Sequence, residues 1–208
     1  GLTNGTAYIF RVRAQNSEGY SPYSTQSASV TPRTVPDAPT GISATYGNGQ
    51  ASLSWTAPVV DGGSVLTDYV VQYSSNSGTS WLTFTDGVST VASTTVTGLT
   101  NGTAYIFRVR AQNSEGYSPY STQSASVTPS TTAVAPTSLT ATYSDAQVSL
   151  SWTAPADNGG ASVTDYAVQY SSNGGTTWTT FTDGTSTSSS ATVTGLANGT
   201  AYVFRVAA

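Results

Sequence analysis

The sequence GLTNGTAYIFRVRAQNSEGYSPYSTQSASVTP fills residues 1–32 and returns letter for letter at residues 98–129. Its opening returns once more at residues 195–208 as GLANGTAYVFRVAA, again 97 residues further along. Residues 33–111 also align with residues 130–208 without a gap, and 51 of these 79 positions are identical. A period of this length is that of a whole domain rather than of a solenoid unit. The chain is therefore a tandem domain repeat, and we expect it to begin and to stop partway through a domain.

The composition removes most of the side chains that carry out reaction chemistry. The 208 residues include no Cys and no His, and the six positively charged residues are all Arg. Without His or Cys the chain has neither an ordinary zinc site nor a Ser/His/Asp or Cys/His catalytic arrangement. Without Lys it has no amine for a Schiff base. We therefore predict that the chain is not an enzyme and that it holds no cofactor and no metal.

The charge pattern narrows the range of partners. Only 8% of the residues are charged and the formal net charge is −4, which argues against binding to nucleic acid or to an anionic membrane. Ser, Thr, Gly, Ala and Tyr are abundant instead, and such a neutral, hydroxyl-rich surface is common on secreted bacterial proteins. No apolar run approaches the roughly 20 residues of a membrane-spanning helix. We expect a secreted or cell-surface protein with no membrane span in this segment.

Alternation of apolar and polar residues dominates each repeat and predicts strands rather than helices. Turn signals such as Asp61-Gly62-Gly63 and Asn101-Gly102 separate the predicted strands. In the middle repeat the predicted strands are 40–46, 51–56, 68–74, 81–85, 93–97, 104–113 and 122–127. Seven short strands at this spacing predict a sandwich of two β-sheets.

The same alternation predicts which side chains form the core, because successive residues of a strand face opposite sides of its sheet. The predicted core of the middle repeat is Ile42, Leu53, Trp55, Tyr69, Val71, Tyr73, Val96, Leu99, Tyr105, Phe107, Val109 and Ala111. Ile106, Arg108 and Arg110 alternate with the last of these and fall on the opposite face. Trp152 is the equivalent of Trp55 in the third repeat, and we predict that it is buried as well.

Several short motifs of the middle repeat resemble those of fibronectin type III domains. They are Ala38-Pro39-Thr40-Gly41-Ile42, Leu53-Ser54-Trp55, Asp68-Tyr69-Val70-Val71-Gln72-Tyr73, and Gly98-Leu99 through Tyr105 to Asn113 and Gly116. The resemblance spans the whole chain and implies an all-β fold of tandem immunoglobulin-like (fibronectin type III) seven-stranded β-sandwiches. It also implies a tyrosine corner, in which the Tyr105 hydroxyl bonds to backbone a few residues upstream. The Gly-rich loop at 61–63 and the Gly-Thr-Ser-Trp turn resemble the bacterial branch of the family.

Proline-marked linkers at 31–39 and 129–136 separate the repeats. We predict the C-terminal part of a domain at 1–32, a complete domain at 36–129, and a domain truncated before its last strand at 133–208. Several prolines within so few residues favour an extended, semi-rigid connection. We expect each incomplete end to be completed by more of the same polypeptide. The rival is strand exchange, in which residues 25–30 of one chain fill the gap in the next.

Two loop motifs are candidate sites, and each has a plainer interpretation. Asn-Gly-Thr at Asn4, Asn101 and Asn198 matches the acceptor for N-glycosylation in a eukaryotic secretory pathway. We favour a tight turn, because Asn-Gly supplies the positive φ angles that such a turn needs. Asp61 and Asp157 lie close to glycines and suggest calcium ligands. Since calcium takes about six to eight oxygens, usually with several carboxylates, we interpret these loops as turns too.

Four aromatic residues are candidate contacts for a ligand or partner: Trp81, Trp178, Tyr117 and Tyr120. An exposed aromatic ring can stack on the apolar face of a sugar. The alternative, which we favour, is that Trp81 lies on the outer face of the sheet and covers the stem of Arg108 or Arg110. No Arg-Gly-Asp tripeptide is present, so integrin binding has no support in the sequence.

The leading functional prediction is a non-catalytic structural repeat array that forms a bacterial cell-surface stalk or an extracellular filament. Near-identical copies favour it, because a spacer needs only repetition whereas recognition of a ligand usually needs one good site. The predicted partners are neighbouring repeats of the same protein, in a head-to-tail array or homopolymer. The alternatives are a glycan-binding or adhesive module that contacts surface polysaccharide, and accessory domains of a secreted polysaccharide-degrading enzyme.

Overall fold

A computed structural model describes all residues from 1 to 208, and every regular element in it is a β-strand. The chain divides into two units whose bounds do not follow the repeats. Unit 1 consists of Gly1–Thr45, Ala51–Thr97 and Ala104–Val127, and unit 2 consists of Tyr46–Gln50, Gly98–Thr103 and Thr128–Ala208. Unit 2 therefore contains two turns of the middle repeat together with the whole third repeat. The model has no helix of the length and apolar character that crossing a membrane requires.

The first repeat contributes a hairpin to unit 1. Its two short strands pair antiparallel and are β1 (Gln15–Asn16) and β2 (Gly19–Tyr20). Asn16 closes the turn between them, since its Oδ1 accepts hydrogen bonds from two backbone N–H groups of the turn at 2.9 and 3.1 Å. Further from the turn, Tyr8 and Val30 pair across the two arms, and the Tyr8 N–H donates to the Val30 carbonyl at 2.9 Å.

The middle repeat forms two sheets. Its strands are β3 (Thr40–Gly47), β4 (Gln50–Thr56), β5 (Asp68–Ser74), β6 (Leu82–Thr83), β7 (Ser93–Thr97), β8 (Ile106–Asn113) and β9 (Gly116–Tyr117). One sheet has the strand order β3-β4-β7 and the other the order β6-β5-β8-β9. Six of the seven predicted strands appear at their predicted places, although the fourth is shortened to β6.

Alternate residues of these strands form the core, as the sequence pattern predicts. The buried apolar residues of the middle repeat in unit 1 are Ala51, Leu53, Trp55, Tyr69, Val71, Val96, Tyr105, Phe107, Val109 and Ala111. Ile42 and Tyr73, also predicted to be core residues, are half-buried. The rings of Trp55 and Tyr69 meet edge to face with their centroids 5.2 Å apart, a favoured arrangement for aromatic pairs. Burial raises the pKa of the Tyr69 hydroxyl above its ordinary value.

The seventh predicted strand, 122–127, is not a regular strand, so this prediction is wrong. Residues 118–127, here called the serine segment, run beside β8 with a period of three instead of two. The serines of this period are buried and occupy positions 118, 121 and 124. The period is three because each of these serines bonds to β8 through its side chain as well as through its backbone.

Ser121 illustrates the bonding of the serine segment. Its N–H donates to the Val109 carbonyl at 2.8 Å, and its Oγ accepts from the Val109 N–H at 3.1 Å. The Ser121 hydroxyl in turn donates to the Thr122 carbonyl at 2.7 Å. The same bonds are repeated by two further pairs, Ser118 with Ala111 and Ser124 with Phe107. One serine thus satisfies both backbone groups of its β8 partner.

The third repeat in unit 2 has the same plan. Its strands are β10 (Thr137–Ser144), β11 (Gln147–Thr153), β12 (Ala167–Ser171), β13 (Thr179–Thr180), β14 (Ser190–Thr194) and β15 (Val203–Ala207). The sheets have the orders β10-β11-β14 and β13-β12-β15. The buried cluster comprises Leu150, Trp152, Tyr166, Val168, Val193 and Leu196. Trp152 meets Tyr166 edge to face at 5.2 Å, which repeats the geometry of Trp55 and Tyr69.

A tyrosine hydroxyl accepts a backbone hydrogen bond from five residues upstream in two of the repeats. The Thr3 N–H donates to the Tyr8 hydroxyl at 2.8 Å, and the Ala197 N–H donates to the Tyr202 hydroxyl at 3.2 Å. The Thr3 bond also lowers the pKa of Tyr8, because it stabilises the phenolate form. The resemblance implies this corner for Tyr105, the equivalent residue of the middle repeat, and its equivalents form it.

We expect Tyr202→Phe to lower the free energy of unfolding of the third repeat by about 1 kcal/mol, because the ring stays and one net hydrogen bond is lost. Urea denaturation of the full chain, followed by the fluorescence of Trp152 and Trp178 in a Trp55→Phe, Trp81→Phe background, measures the change, because both remaining tryptophans lie in the third repeat. The control is Tyr143→Phe, which removes the hydroxyl of a ring that is 90% exposed. Equal midpoints for the two variants would show that the corner bond contributes nothing measurable.

Candidate functional site

The aromatic candidates of the middle repeat gather on the outer face of its larger sheet. Strand alternation places Arg108 and Arg110 of β8 on this face, opposite the core side chains. The pairing of β5 with β8 sets Gln72 directly across from Arg108. The Arg108 Nε and Nη2 atoms donate to the Gln72 Oε1 atom at 3.0 and 2.7 Å. This forked bond fixes the guanidinium of Arg108 to the neighbouring strand β5.

Three aromatic rings stack on the two guanidinium groups. The Arg108 Cζ atom lies 4.1 Å from the ring centroid of Trp81 and 4.1 Å from that of Tyr120. The Arg110 Cζ atom lies 3.8 Å from the centroid of Tyr117 and 4.9 Å from that of Tyr120. Cation–π contacts form at such distances. Rings and guanidinium groups therefore alternate in one row, which we call the arginine ladder.

Part of the arginine ladder recurs in each of the other repeats: arginine on tyrosine in the first repeat, and arginine on tryptophan in the third. In the first repeat Arg11 lies 3.9 Å from the Tyr23 centroid, and Arg13 lies 3.9 Å from that of Tyr20 and 4.8 Å from that of Tyr23. In the third repeat, Arg205 lies 4.2 Å from the centroid of Trp178. Arg205 also donates from its Nε atom to Gln169 Oε1 at 2.7 Å, as Arg108 does to Gln72.

The structure thus places the four candidate ligand contacts, Trp81, Trp178, Tyr117 and Tyr120, on arginine side chains. The interpretation of Trp81 as a cover for an arginine agrees with this geometry, and the partner is Arg108. The packing of both tyrosines on Arg110 was not predicted. The available signal was their spacing of three residues in the segment that follows β8. Contact of any of these rings with a ligand stays a prediction, and Tyr117 has the most open ring surface of the middle repeat's three at 45% exposure.

The acidic loops and the Asn-Gly motifs are turns in the structure. The Asp61 Oδ1 atom accepts from the Gly63 N–H at 2.8 Å, and the Asp157 Oδ1 atom accepts from the Gly159 N–H at 2.8 Å. Both carboxylates therefore bind backbone of their own loops. The structure holds no group of three or more acidic side chains that could hold a metal ion. Asn101 likewise accepts from the backbone N–H of Gly49 at 2.8 Å.

The strength of the arginine ladder can be measured by replacing its central cation. We expect Arg108→Met to lower the free energy of unfolding by about 1–2 kcal/mol, because two ring contacts and the forked bond to Gln72 are lost while the aliphatic stem remains. Urea denaturation of the full chain measures the loss. The control is Arg33→Met, since Arg33 is exposed in a linker. The same loss in both variants would mean that the ladder contributes nothing beyond the charge.

Comparison with known proteins identifies the fold of both sandwiches. The family model for the fibronectin type III domain matches residues 37–127 and 134–208. Myomesin-2 of Homo sapiens is 31% identical over 217 residues, which cover 100% of this chain and 15% of that protein. Exoglucanase B of Cellulomonas fimi is 33% identical over 227 residues, which cover 100% of this chain and 19% of that protein. Chitinase A1 of Niallia circulans is 35% identical over 193 residues, which cover 84% of this chain and 24% of that protein. The chain spans less than a quarter of the length of these curated relatives.

Proposed function

Because the chain belongs to the fibronectin type III family, we propose that it is a non-catalytic structural segment of a bacterial cell-surface stalk or extracellular filament. Its domains in this proposal are the part at 1–32, the complete sandwich at 36–129 and the sandwich at 133–208. Its partners are neighbouring repeats of the same protein. The relatives are compatible with this role, since they include a muscle protein and two glycosidases of bacteria.

The proposal rests on one observation: the side chains that could bind a ligand already contact other groups of the repeat. The aromatic rings of the outer face are stacked on arginine, and the loop carboxylates Asp61 and Asp157 bond to backbone. These interactions stabilise the repeat itself. They recur from repeat to repeat, which is what an array of spacers needs and what a single recognition site does not.

Single-molecule force spectroscopy of the full chain, tethered at both ends, tests the structural role. We expect the middle repeat to unfold in a discrete event that releases roughly 300 Å of chain, the extended length of residues 36–129. A spacer in a filament must resist extension, and the paired strands of a sandwich must separate together. Extension of the chain without any discrete event would contradict the proposal.

The second candidate is a glycan-binding module or an accessory domain of a secreted polysaccharide-degrading enzyme. The names of exoglucanase B and chitinase A1 favour it, as does the 45% exposure of Tyr117. Sedimentation with insoluble cellulose and chitin distinguishes the two. We expect no saturable retention of the chain. Retention that is lost in both Trp81→Ala and Tyr117→Ala would favour the second candidate instead.

A further inference from the structure

Three backbone segments meet in unit 1, and the Asn113 Nδ2 atom bonds to two of them, donating to the Thr34 and Asp61 carbonyls at 2.8 Å. The segments are the Asn-Gly turn of the first repeat, the linker that follows that repeat, and the loop between β4 and β5. The Gly5 N–H donates to the Pro32 carbonyl at 2.9 Å, so the turn bonds to the start of the linker. The Thr34 N–H then donates to the Gly62 carbonyl at 2.9 Å, which joins the linker to the loop. A further bond joins Asp37 to Val60 at 3.0 Å.

These segments approach so closely that only glycine, which has no Cβ atom, fits at two positions of the loop. A Cβ atom on Gly62 would lie 2.1 Å from the Thr34 carbonyl oxygen, and a Cβ atom on Gly63 would lie 2.2 Å from the Gly5 nitrogen. Real Cβ atoms essentially never come within 3.0 Å of such neighbours. Both glycines also have positive φ angles, 76° for Gly62 and 79° for Gly63. We call this packing of turn, linker and loop the glycine joint.

Unit 2 contains the same glycine joint, displaced by one period. The Gly102 N–H donates to the Pro129 carbonyl at 2.9 Å, and the Thr131 N–H donates to the Gly159 carbonyl at 2.8 Å. A Cβ atom on Gly159 would lie 2.1 Å from the Thr131 oxygen, and one on Gly160 would lie 2.3 Å from the Gly102 nitrogen. Each of these distances matches its counterpart in unit 1 to within about 0.1 Å.

The joint is retained although the side chains around it differ. The linker reads Arg33-Thr34-Val35 in one place and Ser130-Thr131-Thr132 in the other, and Asp61 becomes Asn158. The glycine pair of the loop and the Asn-Gly of the turn are the same in both joints, and so are the linker residues that bond to them, Pro32 and Pro129, and Thr34 and Thr131. Contacts made through backbone depend on the absence of Cβ atoms rather than on side-chain identity. The glycine joint therefore requires glycine at both loop positions, where a Cβ atom would meet the backbone of the linker and of the turn.

We propose that the glycine joint is an interaction surface between repeats. The loop that carries the glycine pair binds the Asn-Gly turn of the preceding repeat and fixes the orientation of that turn. The partner is another repeat of this same sequence. This inference rests on the proposed function, because it supplies the stiffness that a spacer array needs. Tethered domains otherwise move freely relative to each other unless an interface holds them.

Double electron–electron resonance on the full chain tests this proposal. The chain has no cysteine, so spin labels can be attached at Tyr46→Cys and Tyr143→Cys, two exposed positions of unit 2 that lie one period apart. We expect one narrow distance distribution for the labelled chain. Gly160→Ala should widen it at least about twofold, because the new Cβ atom forces the turn out of the joint and frees residues 46–50 and 98–103 of unit 2 to move relative to the third repeat.

Gly184→Ala is the matched control for Gly160→Ala. Gly184 has a φ of 79° against 84° for Gly160, but a Cβ atom there would meet nothing within 4 Å. Both variants therefore place an alanine at a similar positive φ angle, and only one of them disturbs the joint. Two results would overturn the proposal. One is a distance distribution for the labelled chain as wide as that of the Gly160→Ala variant, and the other is equal widening in the Gly184→Ala control.

A second pair of variants keeps the test valid if Gly160→Ala unfolds the third repeat. Gly102 and Gly199 lie in equivalent Asn-Gly turns of the middle and third repeats, with φ angles of 80° and 79°. A Cβ atom on Gly102 would lie 3.2 Å from the Gly160 Cα atom of the opposing loop, whereas a Cβ atom on Gly199 would meet nothing within 4 Å. We expect Gly102→Ala to widen the distribution and Gly199→Ala to leave it narrow. An equal effect of both would overturn the proposal. Amide hydrogen exchange in β11 and β12 shows whether the third repeat is folded.

The outcome is separable from that of the force experiment. Discrete unfolding events together with a broad distance distribution would retain the structural role and overturn the glycine joint alone. A narrow distribution that widens only in Gly160→Ala and Gly102→Ala, without discrete unfolding events, would retain the joint and overturn the structural role.

Discussion

Replacement of Trp55 by alanine is expected to lower the free energy of unfolding of the middle repeat by about 3–5 kcal/mol. Trp55 is only 7% exposed, and it packs edge to face on Tyr69 between the two sheets. The substitution removes the indole and leaves a cavity that the rigid strands cannot close. A domain of this size is stable by about 5–15 kcal/mol in total, so the middle repeat should become marginal.

Native-state hydrogen exchange at the amide of Val109 measures this loss, because Val109 is fully buried in β8 of the same repeat. The control is Trp81→Ala, which removes a half-buried indole from the outer face and should cost about 1 kcal/mol. Comparable losses in the two variants would refute the assignment of Trp55 to the core. The third repeat has its own buried tryptophan, Trp152, and should keep its stability in both variants.

Removal of the Ser121 hydroxyl is the second large effect that we expect, at about 1–3 kcal/mol for Ser121→Ala. The Val109 N–H loses its acceptor when the Oγ atom is removed, and it lies in a buried strand where water cannot replace that acceptor. An unsatisfied buried donor costs more than the net value of one hydrogen bond.

Ser126→Ala is the matched control, because Ser126 lies in the same serine segment but is exposed. Urea denaturation of the full chain and exchange of the Phe107 amide, which keeps its own acceptor Ser124, both report the difference. Replacement of all three buried serines by alanine should cost more than Ser121→Ala alone, since three donors of β8 then lose their acceptors. A midpoint for Ser121→Ala equal to that of Ser126→Ala would show that the side-chain bonds of the segment do not stabilise the fold.

The repeat, six of the seven strands of the middle repeat and most of its core could be predicted from the sequence by itself. The alternation in β8, for example, is enough to assign Phe107 and Val109 to the core and Arg108 to the surface, because a strand turns successive residues to opposite faces. The Asn-Gly and Asp-Gly-Gly turns were equally readable, since the positive φ that they need is a local property of the chain. Such signals lie within a few residues of the structure that they determine.

Only the tertiary structure decided the serine segment, the arginine ladder and the glycine joint. Ser121 bonds to Val109 across 12 positions, and Gly63 approaches Gly5 across a whole linker. The spacing of three between the serines is visible in the sequence, but nothing local shows which strand they bond to. The serines replace the expected alternation with a period of three because their side chains, and not only their backbone, complete the hydrogen bonds of β8. The glycines look like ordinary turn residues until another backbone segment is seen against them, because close packing depends on which distant segments the fold brings together.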